Sequence, residues 1–153
     1  MIAVTIPLGP RGPAMARRLV ASTLGDAGCP RELIDRAVLA CSELVTNALL
    51  HGQGPPRLRL SARPDRATLS VYDAAPGLPG ARARPDRPNH DPHGRGLVIV
   101  GDQADRWGAQ REGNGKWVWA EFRVPRRRQV VRSAACSTPA ARPVVARLDR
   151  PVG

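Results

Sequence analysis

The chain reads ELVTNALLHG at residues 43–52, near the end of a long stretch of helical periodicity. Apolar residues recur there at the i, i+3, i+4 and i+7 spacing of an amphipathic helix, which predicts one helix over residues 30–50 that stops at Gly52. Glu43 and Asn47 are four residues apart and therefore stack on one face of this helix. A carboxylate beside a carboxamide can hold a hydrated cation and activate a hydroxyl group. The alternative is an ordinary solvated stripe.

The rest of the pattern predicts two more helices and two hairpins around this helix. Alternating apolar residues indicate strands, and the Asn114-Gly115 pair is typical of a hairpin turn. The predicted elements are a strand at 2–6, a helix at 14–24, strands at 57–61 and 67–73, a short helix opened by glycines at 94–100, and strands at 105–111 and 116–124. This order lacks βαβ alternation. It predicts an α+β fold, a two-layer α/β sandwich with the helices on one face of a mostly antiparallel sheet.

Two segments have no apolar pattern. Residues 74–93 contain five prolines and two glycines, and a structureless segment of this length inside a compact domain is either disordered or a functional lid. Residues 125–153 are rich in Arg, Pro and Ala and are predicted to form a disordered tail. The sequence therefore predicts a single folded domain over residues 1–124 followed by this tail.

Composition narrows the class of protein. A chain of 153 residues is long enough to bury one sizeable core. The sequence contains no run of 18 apolar residues, so that no membrane span is expected. The N-terminus does not resemble a signal peptide. Three cysteines without CxxC spacing fit neither a zinc site nor a disulfide framework. We therefore expect a cytoplasmic protein with no membrane association.

The net charge of +11 raises the question of nucleic-acid binding. More than half of the excess lies in residues 125–153, which hold seven Arg against one Asp. Only one Lys accompanies 23 Arg, which is typical of a GC-rich coding bias. A solvated tail is the main interpretation, and a weak anion-binding arm is the alternative. Nucleic acid is therefore not an expected partner of the folded domain.

Two features downstream of the long helix suit a nucleotide. Asp73 ends a strand that can lie beside that helix, and its carboxylate can accept a hydrogen bond from an exocyclic amine such as that of adenine. The sequence Gly94-Arg95-Gly96 opens a short helix, whose free N–H groups and positive dipole end favour phosphate. Asn47 can offer its carbonyl oxygen to Mg²⁺, and Glu43 can orient and deprotonate an attacking hydroxyl group.

These motifs, in this order, resemble those of the Bergerat-fold (GHKL) ATPase and kinase superfamily. They are similar in particular to the small anti-sigma-factor serine kinases and their single-domain ATP-binding relatives in actinobacteria. Residues 43–52 resemble the N box of that family, and residues 73–77 resemble its first glycine box. Residues 94–97 resemble the second glycine box, and residues 115–119 the closing strand.

The resemblance implies a role for each matched residue. Glu43 would be the general base, Asn47 the Mg²⁺ ligand and Asp73 the residue that recognises adenine. Independently of the resemblance, we expect His51 to cap or pack at the helix end, and contact with phosphate is the alternative. The implied cofactors are ATP and Mg²⁺, and the remaining implied cofactor-binding residues are Gly77, Gly94, Arg95, Gly96 and Leu97. The implied partner is an anti-anti-sigma (STAS-type) protein, phosphorylated on a serine, and/or a sigma factor, and relatives often form homodimers.

The chain departs from the family pattern at two positions. Ala75 replaces the first glycine of the Asp-x-Gly-x-Gly motif, which narrows the pocket unless φ stays negative there. Trp117 stands where relatives often have a Thr that supports the adenine-binding Asp. Lys116, beside it, is expected to be an exposed strand residue. The leading prediction is a regulatory serine/threonine kinase; the alternatives are a catalytically weak or inactive nucleotide- and partner-binding module, and a nucleic-acid-associated protein acting through its tail.

Overall fold

The structure is a computed structural model, and it describes residues 1–75 and 95–125. Most of the predicted lid, together with Gly77 and Gly94, lies outside these residues. The predicted tail beyond residue 125 also lies outside them.

The described residues form three helices and five strands, as the sequence predicts. Each predicted strand and helix is present, with ends that differ by a few residues. The elements are β1 (Ile2–Thr5), α1 (Arg11–Asp26), α2 (Arg31–His51), β2 (Arg57–Ala62), β3 (Arg66–Asp73), α3 (Arg95–Gln103), β4 (Arg106–Glu112) and β5 (Gly115–Arg123). None of the three helices is long and apolar enough to cross a membrane.

The strands make one antiparallel sheet in the order β1-β2-β3-β5-β4. The helices pack on one face of it, which confirms the predicted two-layer α+β sandwich. Because side chains alternate across a strand, one face of β2, β3 and β5 supplies the core, with Leu58, Leu60, Ala67, Leu69, Val71, Val118, Ala120 and Phe122.

Helix α2 is the central element of the helical layer. Its apolar stripe is buried against the sheet and against α1, and it includes Leu33, Ala37, Ala40, Cys41, Leu44, Val45 and Ala48. Burial raises the pKa of the Cys41 thiol to about 12, because an apolar environment disfavours the thiolate. The rigid packing of this helix fixes the direction of its more polar face, which carries Glu43 and Asn47.

Two boundaries differ from the prediction for local reasons. Helix α1 begins at Arg11, so that Pro13 lies within its first turn, where a missing N–H leaves no hydrogen bond unmade. The turn of the second hairpin is centred on Gly113 and Asn114, because Glu112 pairs with Gly115 and Gly113 has a φ of 60°. The turn therefore lies one residue earlier than the Asn114-Gly115 pair suggests.

Candidate functional site

Glu43 and Asn47 lie one turn apart on α2, as the sequence predicts, and both side chains are half-buried. Their neighbours Leu44 and Ala48 point into the core. The two polar side chains thus flank the apolar stripe of the helix. Their backbone is held in place by the packing of that stripe.

The first turn of α3 packs directly against this polar pair. A Cβ atom placed on Gly96 would lie 2.8 Å from Asn47 Nδ2 and 3.0 Å from Glu43 Oε2. Gly96 is buried, and any side chain there would displace the two groups. The N-terminus of α3, with its free N–H groups, is therefore next to Glu43 and Asn47.

Asp73 occupies the other end of the site, beside the end of α2. A Cβ atom on Gly52 would lie 3.0 Å from Asp73 Oδ1. Gly52 has an extended backbone with φ of −77°, so that space, and not backbone freedom, requires a glycine here. The final residue of the quoted motif therefore lets α2 and β3 approach closely enough to share one site.

Helix α2 sets the length of this site. Gly52 is five residues beyond Asn47 and nine beyond Glu43, and a rise of about 1.5 Å per residue makes these separations about 7.5 and 13 Å. Asp73 lies beside Gly52, and the N-terminus of α3 lies beside Glu43 and Asn47. An elongated ligand with a base at one end and phosphate groups at the other suits this arrangement.

The prediction that Lys116 is exposed is wrong. Lys116 and Asp73 retain only 8% and 7% exposure, and Lys116 Nζ is 2.8 Å from Asp73 Oδ2. Lys116 also donates a hydrogen bond of 3.3 Å to the carbonyl of Ala75. The two residues face each other because Asp73 pairs with Lys116 in the β3–β5 register, on the side of the sheet that carries the helices.

Trp117, in contrast, lies on the opposite face of the sheet from Asp73. Its ring packs against Tyr72, with ring centroids 5.4 Å apart, and under the guanidinium of Arg59, which is 3.9 Å from the ring centroid. Trp117 therefore does not replace the Thr that supports the adenine-binding Asp in relatives. Lys116 contacts that carboxylate instead.

Ala75 fits its position without backbone strain. Among the described residues no non-glycine residue has a positive φ, so the glycine of the family motif is not needed here for its conformation. The backbone N–H of Ala75 donates to Asp73 Oδ1 at 2.8 Å, and this bond holds the carboxylate in place.

The other predicted site residues lie close to these groups or outside the described chain. His51 is the last residue of α2 and its side chain is exposed. Arg95 begins α3, and Leu97 is half-buried and packs against the core. Gly77 and Gly94 lie outside the described residues. Among the described residues, no group of three or more His, Cys, Asp or Glu side chains could hold a metal ion.

The family model of the histidine kinase-like ATPase domain matches residues 7–122. The chain belongs to the histidine kinase-like ATPase family. This match confirms the resemblance to the GHKL superfamily, and it covers every element of the described fold except β1 and the last residue of β5. A search of curated proteins finds no match.

ATP binding is expected of a histidine kinase-like ATPase domain, and the site described above fits a nucleotide. A buried carboxylate stands at one end, and a helix N-terminus opened by Gly96 stands beside Glu43 and Asn47 at the other. Sequence reasoning missed Lys116 and the close packing of Gly52 on Asp73. The pairing of β5 with β3 would have revealed Lys116, but the sequence alone does not give that register.

Proposed function

We propose that this histidine kinase-like ATPase domain is a regulatory protein serine/threonine kinase of the anti-sigma-factor type. It transfers the γ-phosphate of Mg-ATP to a hydroxyl group on a small partner protein. The observation that carries the proposal is the packing of Gly96, in the first turn of α3, on Glu43 and Asn47. This packing puts a carboxylate and a carboxamide beside a helix N-terminus, whose free N–H groups suit phosphate.

Each of these groups has a separate task. The Asn47 carbonyl oxygen is the protein ligand for Mg²⁺, which prefers few protein ligands and keeps waters and phosphate oxygens. The N–H groups of the first turn of α3 hold the phosphates. Asp73 accepts a hydrogen bond from the base. Mg-ATP, when bound, supplies the transferable phosphoryl group and a cation that offsets the charge developing on it.

Glu43 is the proposed general base. Its carboxylate takes the proton from the serine or threonine hydroxyl as that oxygen forms its bond to the γ-phosphorus, and the bond from that phosphorus to the oxygen of ADP breaks. A side chain one helical turn from the Mg²⁺ ligand is well placed for this task.

The proposed partner is an anti-anti-sigma protein of the STAS type, a sigma factor, or both in competition. This part of the proposal rests on the resemblance of residues 43–52 and 94–97 to the anti-sigma-factor kinases. A homodimer is also part of that resemblance.

Calorimetric titration of Mg-ATP, with Asn47→Ala as the control, tests the nucleotide site. Micromolar binding that Asn47→Ala loses, followed by transfer of labelled phosphate to a STAS-type protein, is the expected result. Binding without transfer to any serine or threonine substrate would refute the kinase proposal and leave a binding module.

The second candidate function is a nucleotide- or partner-binding module without appreciable turnover. The ion pair of Lys116 with Asp73 favours it, because Lys116 occupies one of the two carboxylate oxygens proposed to bind the base. On this alternative, ATP binds weakly, and the affinity for the partner does not depend on nucleotide.

A further inference from the structure

The ion pair between Lys116 and Asp73 has unused hydrogen-bonding capacity. A lysine ammonium group has three N–H donors, and Lys116 directs two interactions, to Asp73 Oδ2 and to the carbonyl of Ala75. Each carboxylate oxygen of Asp73 has room for a second donor beyond the Ala75 N–H and Lys116. Counting partners among residues 1–75 and 95–125, one donor of Lys116 and at least one acceptor of Asp73 therefore remain, on two groups that are 2.8 Å apart.

A donor beside an acceptor matches the Watson–Crick edge of adenine. The exocyclic amine at position 6 donates, and the adjacent ring nitrogen N1 accepts. Guanine presents the opposite order, with an acceptor at position 6 and a donor at N1. Because both Lys116 and Asp73 are buried, an unmatched edge would leave an N–H of Lys116 or an oxygen lone pair of Asp73 without a hydrogen-bond partner, which is costly.

We propose that Lys116 is a specificity-determining residue that donates a hydrogen bond to N1 of adenine while Asp73 accepts one from the 6-amino group. The proposal rests on the proposed nucleotide site and adds a second reader of the base to it. In this arrangement the pair is preformed, since Lys116 and the Ala75 N–H already fix the carboxylate. The chain then selects ATP by a buried charged pair and not by the carboxylate alone.

Calorimetric titration with four Mg-nucleotides tests this assignment on the full chain. In 1-deaza-ATP a C–H group replaces N1, whereas 7-deaza-ATP keeps the whole Watson–Crick edge and serves as the matched control. We expect 1-deaza-ATP to bind about tenfold or more weaker than ATP, as for the loss of a hydrogen bond to a charged donor. We expect 7-deaza-ATP to bind like ATP, and GTP to bind more weakly than either.

The variant Lys116→Met distinguishes recognition of adenine N1 by Lys116 from a purely structural role of this residue in the site. It should bring the affinities for ATP and 1-deaza-ATP within about twofold of each other, because the donor that distinguishes them is gone. If Lys116 only stabilises the site, the substitution weakens both nucleotides and keeps their ratio, which would overturn the proposal. Arg106→Met removes one positive charge from the exposed far end of β4 and should leave the ratio unchanged.

Titration of the wild-type chain with the four nucleotides also tests the role of Lys116. The test therefore does not depend on whether the Lys116→Met variant folds. Equal affinity for ATP and 1-deaza-ATP would refute the role of Lys116 while the proposed nucleotide site stands. Tighter binding of GTP than of ATP would refute the assigned order of Asp73 and Lys116 along the base. Absence of binding by all four nucleotides would overturn the proposed function and this inference with it.

Discussion

Gly96→Ala tests the central geometric feature of the site, the close packing of α3 on Glu43 and Asn47. The new Cβ would lie 2.8 Å from Asn47 Nδ2 and 3.0 Å from Glu43 Oε2, whereas non-bonded carbon contacts are most favourable at about 3.5–4.0 Å. To restore a favourable contact distance, the ends of the Asn47 and Glu43 side chains must move by roughly 0.5–1 Å. Alternatively, α3 must move away from α2 by roughly the same 0.5–1 Å.

The effect on function should be larger than the effect on stability. A misplacement of about 1 Å costs on the order of a hundredfold in rate, so we expect phosphoryl transfer to fall by about that factor. Overpacking costs about 1–3 kcal/mol, and the better helix propensity of alanine offsets about 1 kcal/mol of this. We therefore expect the free energy of unfolding to fall by about 0–2 kcal/mol on these terms.

Gly101→Ala is the matched control, since it makes the same substitution in the same helix. Its Cβ would lie 3.2 Å from Trp107 Nε1, away from Glu43 and Asn47. Calorimetry with Mg-ATP, a phosphoryl-transfer assay and urea unfolding should be run on both variants. Transfer and ATP affinity that are unchanged in Gly96→Ala, or reduced equally in Gly101→Ala, would refute the reasoning.

Three further predictions concern single residues. Glu43→Gln should keep ATP affinity and lower phosphoryl transfer by about 10²-fold or more; transfer at the wild-type rate in a labelled-phosphate assay would remove Glu43 from the mechanism. Asp73→Asn should lower the free energy of unfolding by about 3–5 kcal/mol, because it leaves the charge of Lys116 buried without its partner; a loss below about 1 kcal/mol in urea unfolding would contradict a buried ion pair. Burial raises the pKa of Cys41 from 9.0 to about 12, so that the thiol ionises at lower pH in the unfolded chain than in the folded one. The contribution of Cys41 to the free energy of unfolding is therefore complete below pH 9 and should be lost as the pH rises from 9 to 12. Urea unfolding should show a fall of about 1.4 kcal/mol per pH unit in that window that Cys41→Ala removes, and equal slopes in the two proteins would contradict it.

Much of the fold could be predicted from local pattern. The apolar stripe of α2 and the alternation in β2 and β3 each identify the face that is buried, since a helix or a strand with one apolar face must bury that face. The spacing of Glu43 and Asn47 also fixes their common face without any tertiary information. The observed turn at Gly113 and Asn114 lies one residue before the predicted turn, because the two overlapping pairs Gly113-Asn114 and Asn114-Gly115 both favour hairpins.

The sequence by itself determined the two-layer α+β class, the polar face of α2 and the candidate base and metal ligand upon it. Only the tertiary structure decided which face of β5 meets the helices. Trp117 and Trp119 make one face of that strand apolar, and Val118, Ala120 and Phe122 do the same for the other, so that alternation cannot choose between them. Pairing with β3 resolves the choice. It buries Lys116 against Asp73 and turns Trp117 away from the site.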